Sequence, residues 1–180
     1  EHQSLWDMKQ VGMFYLLFAN FLYHSVQESQ ATSLSAKRTV AYSGKVGVLV
    51  ETLALEYGVP VLQPVKLRDE LESVKALGGD IMITCAYGQI LTQAALDLFP
   101  LGVWNIHAGL LPQYRGASPI QSCILAGETQ TGVSVMRTEL GLDSGAVLCV
   151  ERTGIGETET YGELSARLSL LGAGLIVKAL

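Results

Sequence analysis

The spacing of apolar and polar residues becomes regular from about residue 46 onward. "VGVLVETLALEYG" (46–58) predicts a helix stopped by Gly58, because glycine accepts the left-handed conformation that ends helices. "VPVLQP" (59–64) is a short extended run closed by Pro64. "LRDELESVKALGG" (67–79) places Leu67, Leu71, Val74 and Leu77 on one face, which predicts an amphipathic helix ended by a glycine pair. "DIMITCAYG" (80–88) is continuously apolar, as a strand covered on both sides requires. "LTQAALDLFP" (91–100) predicts a short helix and "GVWNIH" (102–107) a second buried strand.

Two further helix starts are marked by capping residues. Ser118 with Gln121 forms a capping-box pattern with Pro119 at the first helical position. Thr160 with Glu163 repeats it and opens a helix with Leu164, Leu168, Leu171 and Leu175 on its apolar face. Between them "TGVSVMR" and "AVLCV" read as strands on either side of the loop "TELGLDSG" (138–145). Strands alternating with helices imply parallel pairing through right-handed crossovers. The expected fold is α/β, an open, mostly parallel Rossmann-like sheet with helices on both faces.

The first 36 residues do not follow this rhythm and form an atypical N-terminal segment, with the regular domain expected over 37–180. The apolar run "VGMFYLLFANFLY" (11–23) is too short for a membrane span and is interrupted by Asn20. A buried strand running into a helix and a targeting core both fit it. With 180 residues, 49% of them hydrophobic and 16% charged, the chain suits one globular domain with a substantial core and not a disordered one. The 12 basic and 17 acidic residues, net charge -5, give no sign of a nucleic-acid-binding surface. Cys85, Cys123 and Cys149 lie far apart without metal-ligand spacing, so buried free thiols are expected and neither metal nor disulfide.

Ligands of open α/β sheets collect outside the carboxyl ends of the strands. Asn105 and His107 stand two apart where a strand ends, so their side chains project from one face. The loops "AYGQIL" (86–91) and "TELGLDSG" also follow strands, and three strand-to-helix loops converging on one edge would bring Asn105, His107 and Asp143 together. An amide donor stabilises an oxygen on which negative charge develops. An imidazole donates or shuttles a proton, and a carboxylate orients it or accepts a proton from an attacking amine. No serine or cysteine nucleophile is needed for direct transfer of an activated acyl group to an amine. On spacing alone, a His near an Asn at a strand end is more often a structural pair than a catalytic one, and a turn-forming Asp143 and an ordinary loop at Arg115-Gly116 also fit.

"NIHAGLLPQYRG" (105–116) resembles the signature of the folate-dependent formyltransferase family, an N-x-H followed by an L-L-P loop. "AYGQIL", "GASPIQ" (116–121), "TGVSVM" (131–136) and "GLDSG" (141–145) are similar to the family's other motifs in order and spacing, over roughly residues 37–180. "LALEYGVPVLQPVKLRDE" (53–70) resembles the branch that acts on methionyl-tRNA. The resemblance implies the formyltransferase fold and one-carbon transfer from 10-formyltetrahydrofolate, as co-substrate, to the amino group of initiator methionyl-tRNA, for translation initiation. It puts Asn105, His107 and Asp143 on the catalytic trio. Gly109, Leu110, Leu111 and Pro112 fall on the folate-contacting loop, where serine is commoner at the Gly109 position. The backbone of Gln89, Ile90 and Leu91, together with the 139–143 loop that includes Glu139 and Leu140, would border the pterin pocket. No metal, membrane or protein partner is implied.

Two departures accompany the resemblance. Residues 1–36 lack the family's opening strand, glycine- and proline-containing loop and helix, and the family's C-terminal tRNA-binding barrel is absent from these 180 residues. Formyl transfer to a sugar nucleotide or to glycinamide ribonucleotide, and a non-catalytic folate-binding remnant, are the competing readings. The expected location is the mitochondrial matrix or a plastid in a eukaryote and the cytoplasm in a bacterium.

Overall fold

A computed structural model of the chain describes residues 61–180, Leu55 and the strand segments 12–16 and 38–41. Its strands are β1 (Gly12–Leu16), β2 (Arg38–Ala41), β3 (Val61–Leu62), β4 (Gly79–Cys85), β5 (Val103–His107), β6 (Gln130–Arg137) and β7 (Val147–Gly154). Its helices are α1 (Leu71–Lys75), α2 (Gln93–Leu96), α3 (Pro119–Leu125) and α4 (Tyr161–Ala179), with a 3-10 turn at Leu67–Asp69. The strands form one sheet in the order β3-β2-β1-β4-β5-β6-β7. Part of the atypical opening segment therefore contributes a strand, β1, which pairs in parallel with β2 and β4. The expected helix over 46–58 lies outside the described residues, apart from helical Leu55.

β4 shows why the sheet is covered on both sides. Its alternate residues Ile81, Ile83 and Cys85 face one core, with Ile106, Val133, Val135 and side chains of α3 and α4. Met82 faces the other core, with Val103, Leu67, Val74 and Ala95. Leu164 and Leu168 of α4 are fully buried; each such leucine contributes about 1.5–3 kcal/mol relative to exposure. The Thr160–Glu163 capping box that starts α4 is complete in both directions. Among the described residues no helix is long and apolar enough to cross a membrane.

Four local expectations change. The amphipathic segment 67–79 is not one helix: the 3-10 turn ends at Asp69, Glu70 adopts φ -125 and ψ 26, and α1 runs only from Leu71 to Lys75. Its apolar spacing still serves, because Leu67 and Val74 both reach the same core. Ser118 caps α3 without a side-chain bond. At φ -134 and ψ 47 its backbone leaves the extended range in which an N-cap oxygen faces the first turn.

Parallel pairing holds from β3 through β5, but β5–β6 and β6–β7 are antiparallel. The segment after β5 contains only a seven-residue helix, about 10 Å long, and delivers the chain back at the end where β5 stopped. Residues 138–145 are consequently a hairpin loop and not a strand-to-helix connection. They leave β6 beside the start of β5, where the Thr138 amide donates to the Val103 carbonyl at 2.7 Å.

Candidate functional site

β5 lies between β4 and β6, so both its edges are paired within the sheet. Ile106 points into one core, and Val103, Asn105 and His107 alternate onto the other face. His107, 5% exposed, sits at the carboxyl end. Its Nε2 is 2.9 Å from the Tyr114 carbonyl. A carbonyl only accepts, so Nε2 carries the proton of that bond. Nδ1 faces the Asp143 carboxylate, 3.5 Å from Oδ2. Both ring nitrogens thus meet oxygen acceptors.

Asp143 reaches the imidazole by a route the sequence pattern does not show. The loop leaves β6 at the Val103 end of β5, and Val103 and His107 lie about 13 Å apart at strand rise. Residues 138–143 fold back over that distance. Asp143 ends the excursion with φ +44, a left-handed conformation that aspartate tolerates better than most residues. Its Oδ2 also accepts from the Gly116 amide at 2.8 Å, which ties the loop to the segment after β5.

Asn105 is paired in register with Thr84 of β4. The Thr84 hydroxyl donates to Asn105 Oδ1 at 3.0 Å. With the amide oxygen so engaged, the amide NH2 is the donating end left to the site. Asn105 occupies the same sheet face as His107, two residues before it.

The loop after His107 is held from beneath by Ser134, which is fully buried and lies opposite His107 in register. Its hydroxyl donates to the Gly109 carbonyl at 2.7 Å and accepts from the Leu111 amide at 3.1 Å. A Cβ on Gly109 would stand 3.1 Å from Pro119 Cβ and 3.3 Å from His107 Nε2, so the loop passes the imidazole with little room to spare. Gly132 serves the same closeness from β6: a Cβ there would meet the Leu110 side chain at 2.7 Å and collide with the Glu151 carbonyl.

The remaining expected residues divide. Gln89 turns its side chain away, accepting from the Leu67 amide at 3.0 Å and donating to the Val65 carbonyl. Leu91 is core, whereas Ile90 is 90% exposed. Glu139 is exposed, and so are the apolar neighbours Leu140 and Leu142, at 63% and 74%. Pro112 is exposed and follows a cis peptide bond from Leu111. The structure therefore brings His107 beside Asp143 and Gly109, and Asp143 onto Gly116, with Asn105 on the same strand face as His107.

Three residues at the site escaped the sequence reading: Thr84, Ser134 and Tyr114. Ser134 left a signal, a polar residue inside an otherwise buried strand. Thr84 left a weaker one at the end of β4. Tyr114 acts on His107 through its carbonyl, which residue type cannot reveal.

A family model described as "Formyl transferase" matches residues 30–180. The chain is 50% identical over 133 residues, 73% of its length, to a methionyl-tRNA formyltransferase of Chromohalobacter salexigens, of which it covers 41%. It is 39% identical over 163 residues, 89% of its length, to one of Chlamydia pneumoniae, of which it covers 51%. The chain thus spans about half the length, or less, of these curated relatives. In fold it is similar to phosphoribosylglycinamide formyltransferase from Bacillus halodurans, with a TM-score of 0.80 and 18% identity, covering 93% of this chain and 91% of that one. Glycinamide ribonucleotide transformylase 1 from Symbiobacterium toebii gives 0.82 and 17%, covering 96% and 87%. At such identities these two speak for the fold alone.

Proposed function

The chain belongs to the formyl transferase family, and on that premise we propose that it moves a formyl group from 10-formyltetrahydrofolate to the amino group of initiator methionyl-tRNA. The observation that carries this reading is the imidazole of His107, fixed between the Tyr114 carbonyl and the Asp143 carboxylate on the face that also bears Asn105. The acceptor is argued from the 39% and 50% identities to relatives named for methionyl-tRNA.

The chain's own groups fit the folate. Gly109 carries no side chain to crowd the imidazole where the loop passes it. Ile90, Leu140 and Leu142 offer exposed apolar surface on the two loops expected to border a flat ring system. When bound, the folate supplies an activated formyl group whose carbon gains a bond to the acceptor nitrogen and loses its bond to the folate nitrogen.

Asn105 donates from its NH2 to the formyl oxygen as negative charge grows there. With Nε2 anchored on Tyr114, Nδ1 is the nitrogen of His107 that faces the reacting groups. Its 3.5 Å separation from Asp143 Oδ2 keeps the imidazole and the carboxylate side by side. Asp143, oriented by the Gly116 amide at Oδ2, has Oδ1 to take the proton that the amine releases, which then passes to the departing folate nitrogen. The activity belongs in the cytoplasm of a bacterium or the matrix or plastid of a eukaryote.

The test supplies labelled 10-formyltetrahydrofolate to the chain with methionyl-tRNA, glycinamide ribonucleotide or an amino-sugar nucleotide. Label in methionyl-tRNA alone supports the reading. Label in another acceptor replaces the substrate, and folate binding without transfer to any acceptor overturns the enzymatic reading.

A further inference from the structure

Tyr114 has φ +53, a left-handed conformation that a bulky L residue rarely adopts. The turn aims its carbonyl at His107 Nε2, so whatever holds Tyr114 in this shape also holds the imidazole. Two features do so. The ring packs against the core shared by α3 and α4. The hydroxyl donates to Glu128 Oε1 at 2.6 Å, the length of a charge-assisted bond.

The backbone of Glu128 is itself fixed, although its side chain is exposed. Its amide donates to the Cys123 carbonyl at 3.1 Å, closing the end of α3 after Gly127, which has φ +69. Cys123 is buried in the core. A continuous line therefore runs from the end of α3 through the Glu128 carboxylate and the Tyr114 hydroxyl, along the tyrosine, to the imidazole. The hydrogen bond to Glu128 is also the main reason that the tyrosine hydroxyl titrates above its ordinary range.

We propose that Glu128 is a positioning residue for His107, acting through Tyr114: it holds the carbonyl that keeps the imidazole proton on Nε2 and so leaves Nδ1 for chemistry. The kinetic part of this proposal rests on the formyl-transfer reading. The structural part does not.

Tyr114→Phe keeps the packed ring and removes only the hydroxyl. Glu128→Ala removes the acceptor, and Glu128→Gln keeps one. The chain has 3 histidines, so His2→Gln with His24→Gln leaves His107 as the single imidazole for nitrogen-15 spectroscopy. In solution well above the usual histidine range, the parent should show the Nε2-protonated tautomer. Tyr114→Phe and Glu128→Ala should show a measurable share of the Nδ1-protonated form, and Glu128→Gln should match the parent. In turnover, the first two should lower kcat about tenfold with KM for 10-formyltetrahydrofolate within about twofold, and Glu128→Gln should restore most of kcat.

An unchanged imidazole spectrum in both Tyr114→Phe and Glu128→Ala overturns the proposal, whatever the kinetics. So does an unchanged kcat in both. If the parent transfers no formyl group but the imidazole responds as described, the positioning line stands and the formyl-transfer reading is what fails.

Discussion

Replacing Ser134 with alanine removes one hydroxyl from a fully buried position and two hydrogen bonds from the loop beside His107. Every proposed reacting group stays in place. The Gly109 carbonyl and the Leu111 amide lose their partner, and each orphaned buried group costs about 1–3 kcal/mol. A rigid loop would lose about 2–6 kcal/mol. Leu110 and Leu111 are only half-buried, so the loop can open toward water and recover part of that. We therefore expect the lower part, about 2–3 kcal/mol, falling mainly on local opening of residues 109–112. Amide exchange at Leu111 should accelerate about thirtyfold or more, since each 1.4 kcal/mol is about tenfold. Denaturant unfolding should shift by less than that, because the two cores are untouched. Wild-type exchange at Leu111 together with an unchanged unfolding midpoint would show that Ser134 does not hold this loop.

Other outcomes follow from the same contacts. Asn105→Ala should slow transfer by about a hundredfold while folate binding, read by fluorescence titration, changes little; near-normal turnover would remove Asn105 from the mechanism. Glu159 titrates below the usual glutamate range because Arg167 hydrogen-bonds it on both oxygens, helped by the Gly156 amide. A depressed folded value stabilises the protein above the usual glutamate range, and the benefit disappears as pH falls through the folded value. Unfolding free energy should therefore depend less on pH in the acid range in Glu159→Gln than in wild type, and parallel curves would refute the link.

The features legible in the sequence are those set by short-range pattern. The apolar run of β4, the capping box at Thr160 and the leucine face of α4 each follow from spacing alone, and each appears in the structure. The adjacency of Asn105 and His107 on one face follows from strand geometry. Features set by register or by reversal of the chain were not legible. The antiparallel entry of β6 depends on where α3 releases the chain, and Asp143 comes back to His107 over the length of β5. Spacing had put Asp143 near His107 for the wrong reason, by treating its loop as a strand-to-helix connection. The box at Ser118 failed because the pattern says which residues could cap, and the backbone angles decide whether they do. Thr84 and Ser134 matter only once β4, β5 and β6 are aligned residue by residue.

The central claim is that His107 and Asp143 act as one unit in formyl transfer. Single-turnover transfer from labelled 10-formyltetrahydrofolate to methionyl-tRNA tests it most directly, comparing wild type, His107→Ala, Asp143→Ala and the double variant. Each single change should reduce the rate about a hundredfold or more, and the double variant should be little slower than either, because groups acting as a unit are non-additive. Multiplicative losses, or wild-type rates in either single variant, would contradict the account.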